Sequence, residues 1–156
     1  MKKAIKILAL LLISVLPIVA QTSKNKKMEK KVFSPWKWQD DKSYVQAVEV
    51  KNVQSTLYVS GQAAMDDQGV PSDADMKSQL IQAIQNLEKV ITHAGYTFDG
   101  IVRLNIYTTS VDELWPHFSI LQSWLAKNNV KQATSLIQVT RLTETLKVEL
   151  EATVVK

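Results

Sequence analysis

The end of the chain sets the strongest limit on its fold. In LKVELEATVV, residues 146–155, the apolar Leu146, Val148, Leu150, Ala152 and Val154 alternate with Lys147, Glu149, Glu151 and Thr153. Successive side chains of a strand point to opposite faces. This segment is therefore a strand with one face to be covered and one face left polar. A chain holding such a strand needs a layer packed on its apolar side.

Other segments supply that layer. YVQAVEV from Tyr44 and TLYVSG from Thr56 both alternate and are separated by the turn-like KNVQS, which predicts a β-hairpin. DDQG at 66–69 is a turn, and Ser72 with Asp75 three residues on forms a capping box. Met76, Leu80, Ile84, Leu87 and Ile91 then recur at helical spacing, and Gly95 ends the helix. IVRLNIYTT is a third strand, with Val102, Leu104 and Ile106 on one face and Arg103, Asn105 and Tyr107 on the other. Leu114, Phe118, Leu121 and Leu125 form the stripe of a second helix, with Pro116 in its first turn, where a missing N–H costs little. TSLIQVTRL and LKVELEATVV close the chain as two strands joined by TET. The order ββαβαββ describes an α+β domain with two helices packed on one face of a mixed sheet. With 156 residues the chain holds one such domain with a sizeable core.

The beginning reads differently. MKKAIKILALLLISVLPIVA, residues 1–20, has lysines ahead of an apolar run and ends in a small residue, the layout of a secretory signal peptide. The run from Ile7 to Ala20 falls short of the roughly 20 residues that span a bilayer. Cleavage, no membrane attachment afterwards, and a periplasmic or secreted location are the expectations. The formal charge of +4 falls to about +1 once Lys2, Lys3 and Lys6 are removed with that segment, which gives no support to a nucleic-acid partner. Residues 21–43 follow as a lysine-rich, solvated linker and a lead-in, FSPWKWQDDKSY, whose Trp36 and Trp38 are expected to clamp it onto the core. The folded domain is expected over residues 44–156.

Many chemistries are excluded early. There is no cysteine, so disulfides, lipid-anchored cysteine and thiol catalysis are absent. His93 and His117 lack partners at metal-ligand spacing, the four glycines form no phosphate loop, and no Ser-His-Asp order is present. Neither a metal nor a nucleotide cofactor is expected. Glu149 and Glu151 share the polar face of the last strand, about 7 Å apart from a rise of roughly 3.4 Å per residue. On an open face they are solvated; in an interface between subunits such a carboxylate must be paired or protonated and becomes a candidate proton carrier.

YVQAV at 44–48, LYVSGQ at 57–62, QNLEKVITHAG at 85–95, VRLNIYTTSVDEL at 102–114, VTRL at 139–142 and VELEATVV at 148–155 together resemble the RidA (YjgF/YER057c/UK114) family. The resemblance runs in order over 44–156. It implies a chorismate-mutase-like fold assembled as a homotrimer, with small-molecule ligand clefts at the subunit interfaces. It also implies hydrolysis of reactive enamines and imines to 2-keto acids and ammonia. In such enzymes an arginine in a Pro-Ala-Arg-Ser segment grips the substrate carboxylate, a glutamate in the final strand positions water, and a tyrosine near the first strand closes the cleft.

By this resemblance Glu149 is the candidate catalytic residue, Tyr44 the closing tyrosine, and Ser60 and Gln62 the cleft wall. The arginine does not carry over: the chain reads Gln132, Ala133, Thr134, Ser135. Thr134 cannot replace a bidentate contact worth roughly 1.5–3 kcal/mol per charge-assisted hydrogen bond. Thr134 and Ser135 are then expected to orient a ligand by their hydroxyls, with Arg103 the remaining candidate cation and Arg141 serving structure or assembly. The departure points to a branch with altered or lost deaminase activity, whose substrate is not an α-imino carboxylate. The alternative is an active deaminase with Glu149 positioning water.

Overall fold

The computed structural model describes residues 26–156, so the expected signal peptide and the start of the linker lie outside the described residues. Six strands and three helices follow in the order β1 (Glu29–Phe33), β2 (Ala47–Lys51), β3 (Thr56–Ala63), α1 (Met76–His93), β4 (Ile101–Thr108), α2 (Val111–Leu114), α3 (Phe118–Lys127), β5 (Ala133–Gln138) and β6 (Val148–Val155).

β6 does what its alternation requires. Val148, Leu150, Ala152 and Val154 are buried, while Glu149, Glu151 and Thr153 remain partly open. It lies inside the sheet, antiparallel to β3 on one side and β4 on the other, and β5 adds parallel to β4, giving the order β3-β6-β4-β5. The helices cover the apolar face. Leu80, Leu87 and Ile91 of α1, Leu114 of α2 and Leu121 of α3 are fully buried against Leu104, Ile106 and Leu150 of the sheet. Each such side chain contributes about 1.5–3 kcal/mol relative to exposure.

Local chemistry fixes the helix ends. The N-cap of α1 is Asp75, whose carboxylate accepts from Ser78 N–H at 2.7 Å; Ser72 lies outside the helix and accepts from Ala74 N–H. That corrects the expected capping box. Gly95 stands at φ 73°, a left-handed conformation suited to glycine, and Tyr96 N–H closes the turn onto the Ile91 carbonyl. The second helix is broken: Pro116 sits in a single 3-10 turn, Trp115–His117, between α2 and α3. Buried Gln79 donates to the carbonyls of Ser72, Ala74 and Thr145 and accepts from Lys147 N–H, tying the start of α1 to the start of β6.

Three expectations are corrected: the hairpin, the solvated linker and the tryptophan clamp. β2 and β3 do not form a hairpin: β2 pairs with β1 in a separate two-stranded ribbon, and β3 pairs with β6. Between them Asn52 takes φ 56°, and the N–H groups of Gln54 and Ser55 bond to the Lys156 carbonyl, so the chain leaves the ribbon and enters the sheet. β5 and β6 are likewise unpaired, with β4 lying between them. The segment read as a solvated linker contributes β1 from Glu29, and Trp36 and Trp38 do not clamp the core: they stack on each other at 6.1 Å and remain 53% and 59% exposed. Buried Gln39 donates within the lead-in to Ser34 Oγ, and the lead-in meets the sheet where Val45 bridges to Ala133 of β5.

Candidate functional site

The candidate residues divide between the two faces of the sheet. Thr134 stands opposite Leu104, a core residue, and so projects on the helix side; Ser135 stands opposite Asn105 and projects on the polar side. Thr134 and Tyr44 border one small, largely apolar cavity of about 70 Å³, also lined by Trp115 and Phe118, whose rings stack at 5.3 Å. The lead-in brings Tyr44 there through two backbone attachments. Val45 N–H donates to the Gln132 carbonyl, and the Gln132 side-chain amide donates to the Ser43 carbonyl and to Thr134 Oγ1, both at 3.0 Å. The Gln132 side-chain oxygen is buried with no partner among the described residues. On its other side the segment Lys42–Tyr44 borders a polar cavity of about 290 Å³, which also meets Gln39, Asp40 and Lys131. Larger depressions along α1, about 430 and 680 Å³, are open and border none of the candidate residues.

The polar face carries a continuous network. Arg103 donates from Nη2 to Ser135 Oγ at 3.0 Å and from Nε to Asn105 Oδ1 at 2.9 Å. Asn105 Nδ2 reaches Glu151 Oε2 at 3.5 Å, and Tyr107 donates its hydroxyl to the same oxygen at 2.8 Å. The register puts Asn105 opposite Glu151 and Tyr107 opposite Glu149. Holding its proton on the Glu151 carboxylate pushes the Tyr107 phenol above its ordinary value of 10.0, with burial and the Glu151 and Glu149 charges adding to the shift. Asn105, Tyr107 and Glu151 were legible on this face in the alternation of β4 and β6; nothing in the sequence marked them as partners. Arg103 is committed to this network and does not border the Thr134 cavity.

Glu149 lies at the other side of the polar face, over β3. A register shift between Val59 and Gln62 leaves Ser60 and Gly61 in a bulge, and the Glu149 carboxylate occupies the space where a side chain at position 61 would begin. Ser60 is exposed there, and the Gln62 amide turns back onto the Ser60 carbonyl at 3.0 Å. Within one protomer the structure therefore joins Tyr44 with Thr134, joins Arg103 with Ser135, and sets Glu149 beside Gly61. It does not bring Glu149 to Thr134. Among the described residues no three acidic or histidine side chains gather to hold a metal, and no helix is long and apolar enough to cross a membrane.

Comparison with known proteins places this arrangement. A family model described as endoribonuclease L-PSP matches residues 39–156. The chain belongs to that family, the RidA family. Among its relatives are a RutC family protein of Aquifex aeolicus, 29% identical over 113 residues covering 72% of this chain and 88% of the relative. The 2-iminobutanoate/2-iminopropanoate deaminase of Escherichia coli is 25% identical over 114 residues, 72% of this chain and 87% of that protein. The crystal structure of the Rid-family protein YyfB from Yersinia pestis superposes with a TM-score of 0.71 at 27% identity, covering 81% of this chain and 98% of that one. The structure of E. coli TdcF with bound serine, at TM-score 0.60 and 24% identity over 72% of this chain and 87% of that one, shares the RidA fold.

Proposed function

We propose that this chain is an exported RidA-family protein that binds a small metabolite in clefts between the subunits of a homotrimer, with imine or enamine deaminase activity altered or lost. One observation carries the reading: position 134, which holds the carboxylate-gripping arginine in the deaminase pattern, is a threonine facing an apolar cavity. Losing a guanidinium fork removes two charge-assisted hydrogen bonds, about 1.5–3 kcal/mol each, enough to abolish productive binding of an imino acid. The sheet separates Thr134 from Glu149 within a protomer, so a site using both needs Glu149 from a second copy, which supports clefts at subunit interfaces. The serine in TdcF supports a small organic ligand. The apolar segment 1–20 supports export to the periplasm or medium, away from the cytoplasmic pyridoxal-phosphate enzymes that form reactive enamines.

A second reading, an active deaminase, is favoured by Glu149 itself, retained in the final strand with room cleared for it by Gly61. The two are separated by keto-acid release from 2-aminoacrylate generated in situ. The first expects a rate equal to buffer; a rate well above buffer that disappears in Glu149→Ala establishes the second.

A further inference from the structure

One surface of the molecule has no task in the cleft or in the sheet. Residues 31–38 are exposed without a break, and they include Val32, Phe33, Trp36 and Trp38, each at least 40% open. Exposed apolar side chains scattered singly need no partner; four in one stretch, two of them stacked on each other, ask for one. Trp124 is the one tryptophan among the described residues whose indole N–H finds an acceptor, so those of Trp36 and Trp38 are open to one.

The charge around this patch is one-sided. Over residues 26–38 five lysines stand against Glu29 alone, a net +4, whereas residues 43–156 hold nine basic and twelve acidic side chains, a net −3. Lys30 is used within the protomer: its ammonium donates to the Asp99 carbonyl and fastens β1 to the domain. Lys26, Lys27, Lys31 and Lys37 lie within ion-pair distance of no acid among the described residues. The Lys31 ammonium stands 4.9 Å from the Phe33 ring centroid, so positive charge and aromatic surface are interleaved.

That combination fits the headgroup layer of an anionic bilayer. Indoles settle there because their rings are apolar and their N–H groups reach ester and phosphate oxygens. Each lysine near such a surface is worth roughly a fivefold gain in binding. A single-stranded nucleic acid would stack its bases on open ring faces, whereas these two rings cover each other. The acidic remainder of the chain is repelled by the same lipids, which turns the lead-in towards them.

We propose that the exposed face of the lead-in, built on Trp36 and Trp38 with Lys26, Lys27, Lys31 and Lys37, docks this protein on anionic phospholipid surfaces. The expectation of no membrane attachment concerned the apolar run of residues 7–20; this contact is peripheral, comes from a different segment and spans nothing. It goes beyond the metabolite reading and needs neither a ligand nor turnover. The test is co-sedimentation of the chain from Gln21 to Lys156 with vesicles of phosphatidylcholine and phosphatidylglycerol, about two parts to one, and with vesicles of phosphatidylcholine alone, at about 0.05 M and about 0.5 M salt. Binding to the anionic vesicles at low salt is expected, and it is expected to be at least tenfold weaker on phosphatidylcholine alone or at high salt. Lys31→Gln with Lys37→Gln is expected to weaken it at least tenfold, while the charge-matched Lys77→Gln with Lys127→Gln changes it less than twofold. Trp36→Ala with Trp38→Ala is expected to weaken it at least fivefold and to abolish a blue shift of tryptophan emission that the anionic vesicles produce in the unaltered chain. Every altered side chain is exposed, so the core is left intact. No binding to the anionic vesicles at low salt, an equal loss in the two lysine pairs, or a tryptophan variant that binds as the unaltered chain does overturns the proposal. Displacement from the vesicles by polyuridylate at equal phosphate concentration assigns the surface to nucleic acid and overturns the lipid assignment. None of these outcomes bears on keto-acid release, so the reading of the cleft stands or falls separately.

Discussion

Glu149 and Gly61 are sterically exclusive: a Cβ built at position 61 would collide with the carboxylate of Glu149 as it lies across β3. Gly61 has no positive φ, so alanine fits its backbone, and the conflict is between side chains alone. Gly61→Ala is thus expected to keep the fold while driving Glu149 off its position. Any ligand affinity or turnover that depends on Glu149 falls to the level of Glu149→Ala, at a stability cost of about 1 kcal/mol. Thermal unfolding of the double variant checks the cause, because Glu149→Ala removes the collision and restores the lost stability, a non-additive result. Additive losses would show that Gly61 matters for something other than Glu149.

The hydrogen bond from Tyr107 to Glu151 makes a pH prediction with a definite sign. Folding raises the phenol's pKa above 10.0, so it favours the protonated tyrosine. The contribution is fully present below the unfolded value and is lost as pH rises through the higher folded value. Tyr107→Phe is expected to be less stable than the unaltered protein by about 0.5–1.5 kcal/mol at pH 7, the worth of one hydrogen bond. That gap is expected to close above about pH 10. Urea denaturation of both proteins at pH 7, 9 and 10.5 measures it, and a gap independent of pH would mean that the hydroxyl is not held by the carboxylate.

The helix faces and the two-sided character of β4 and β6 were legible because each repeats a period over many residues, as Leu80, Ile84, Leu87 and Ile91 do on α1. β1 was illegible for the converse reason. Glu29, Lys31, Val32 and Phe33 are all exposed, so the strand carries no alternation to read, and only its partner β2 defines it. Which strands pair is a tertiary outcome: β2 and β3 are consecutive and alternate well, yet the Lys156 carbonyl holds the turn between them and sends them to different sheets. The division of the two hydroxyls between faces was readable. Thr134 and Ser135 are adjacent in a strand, and a period of two sends them to opposite faces. The meeting of Tyr44 with Thr134 carried no local signal, since it comes from the docking of the lead-in on β5.

The separation of Thr134 and Glu149 by the sheet makes assembly a condition of any site that uses both. Multi-angle light scattering of the purified protein is expected to give three subunit masses. A mass of one subunit leaves Glu149 with no route to a Thr134 cavity and removes the interfacial cleft.

Restoring the arginine tests the space around position 134. Thr134 faces a cavity of about 70 Å³ lined in part by the stacked Trp115 and Phe118, too little for a guanidinium and its three-carbon stem. Thr134→Arg alone is expected to cost about 1–3 kcal/mol through overpacking and to gain no turnover. Trp115 is 63% exposed, so Trp115→Ala enlarges the cavity at little cost to the core. The double variant Thr134→Arg, Trp115→Ala is therefore the one expected to release keto acid from 2-aminoacrylate, and to lose that activity when Glu149→Ala is added. Turnover in Thr134→Arg alone would show that the aromatic pair yields without help, and absence of turnover in the double variant would place the loss of deaminase activity beyond position 134.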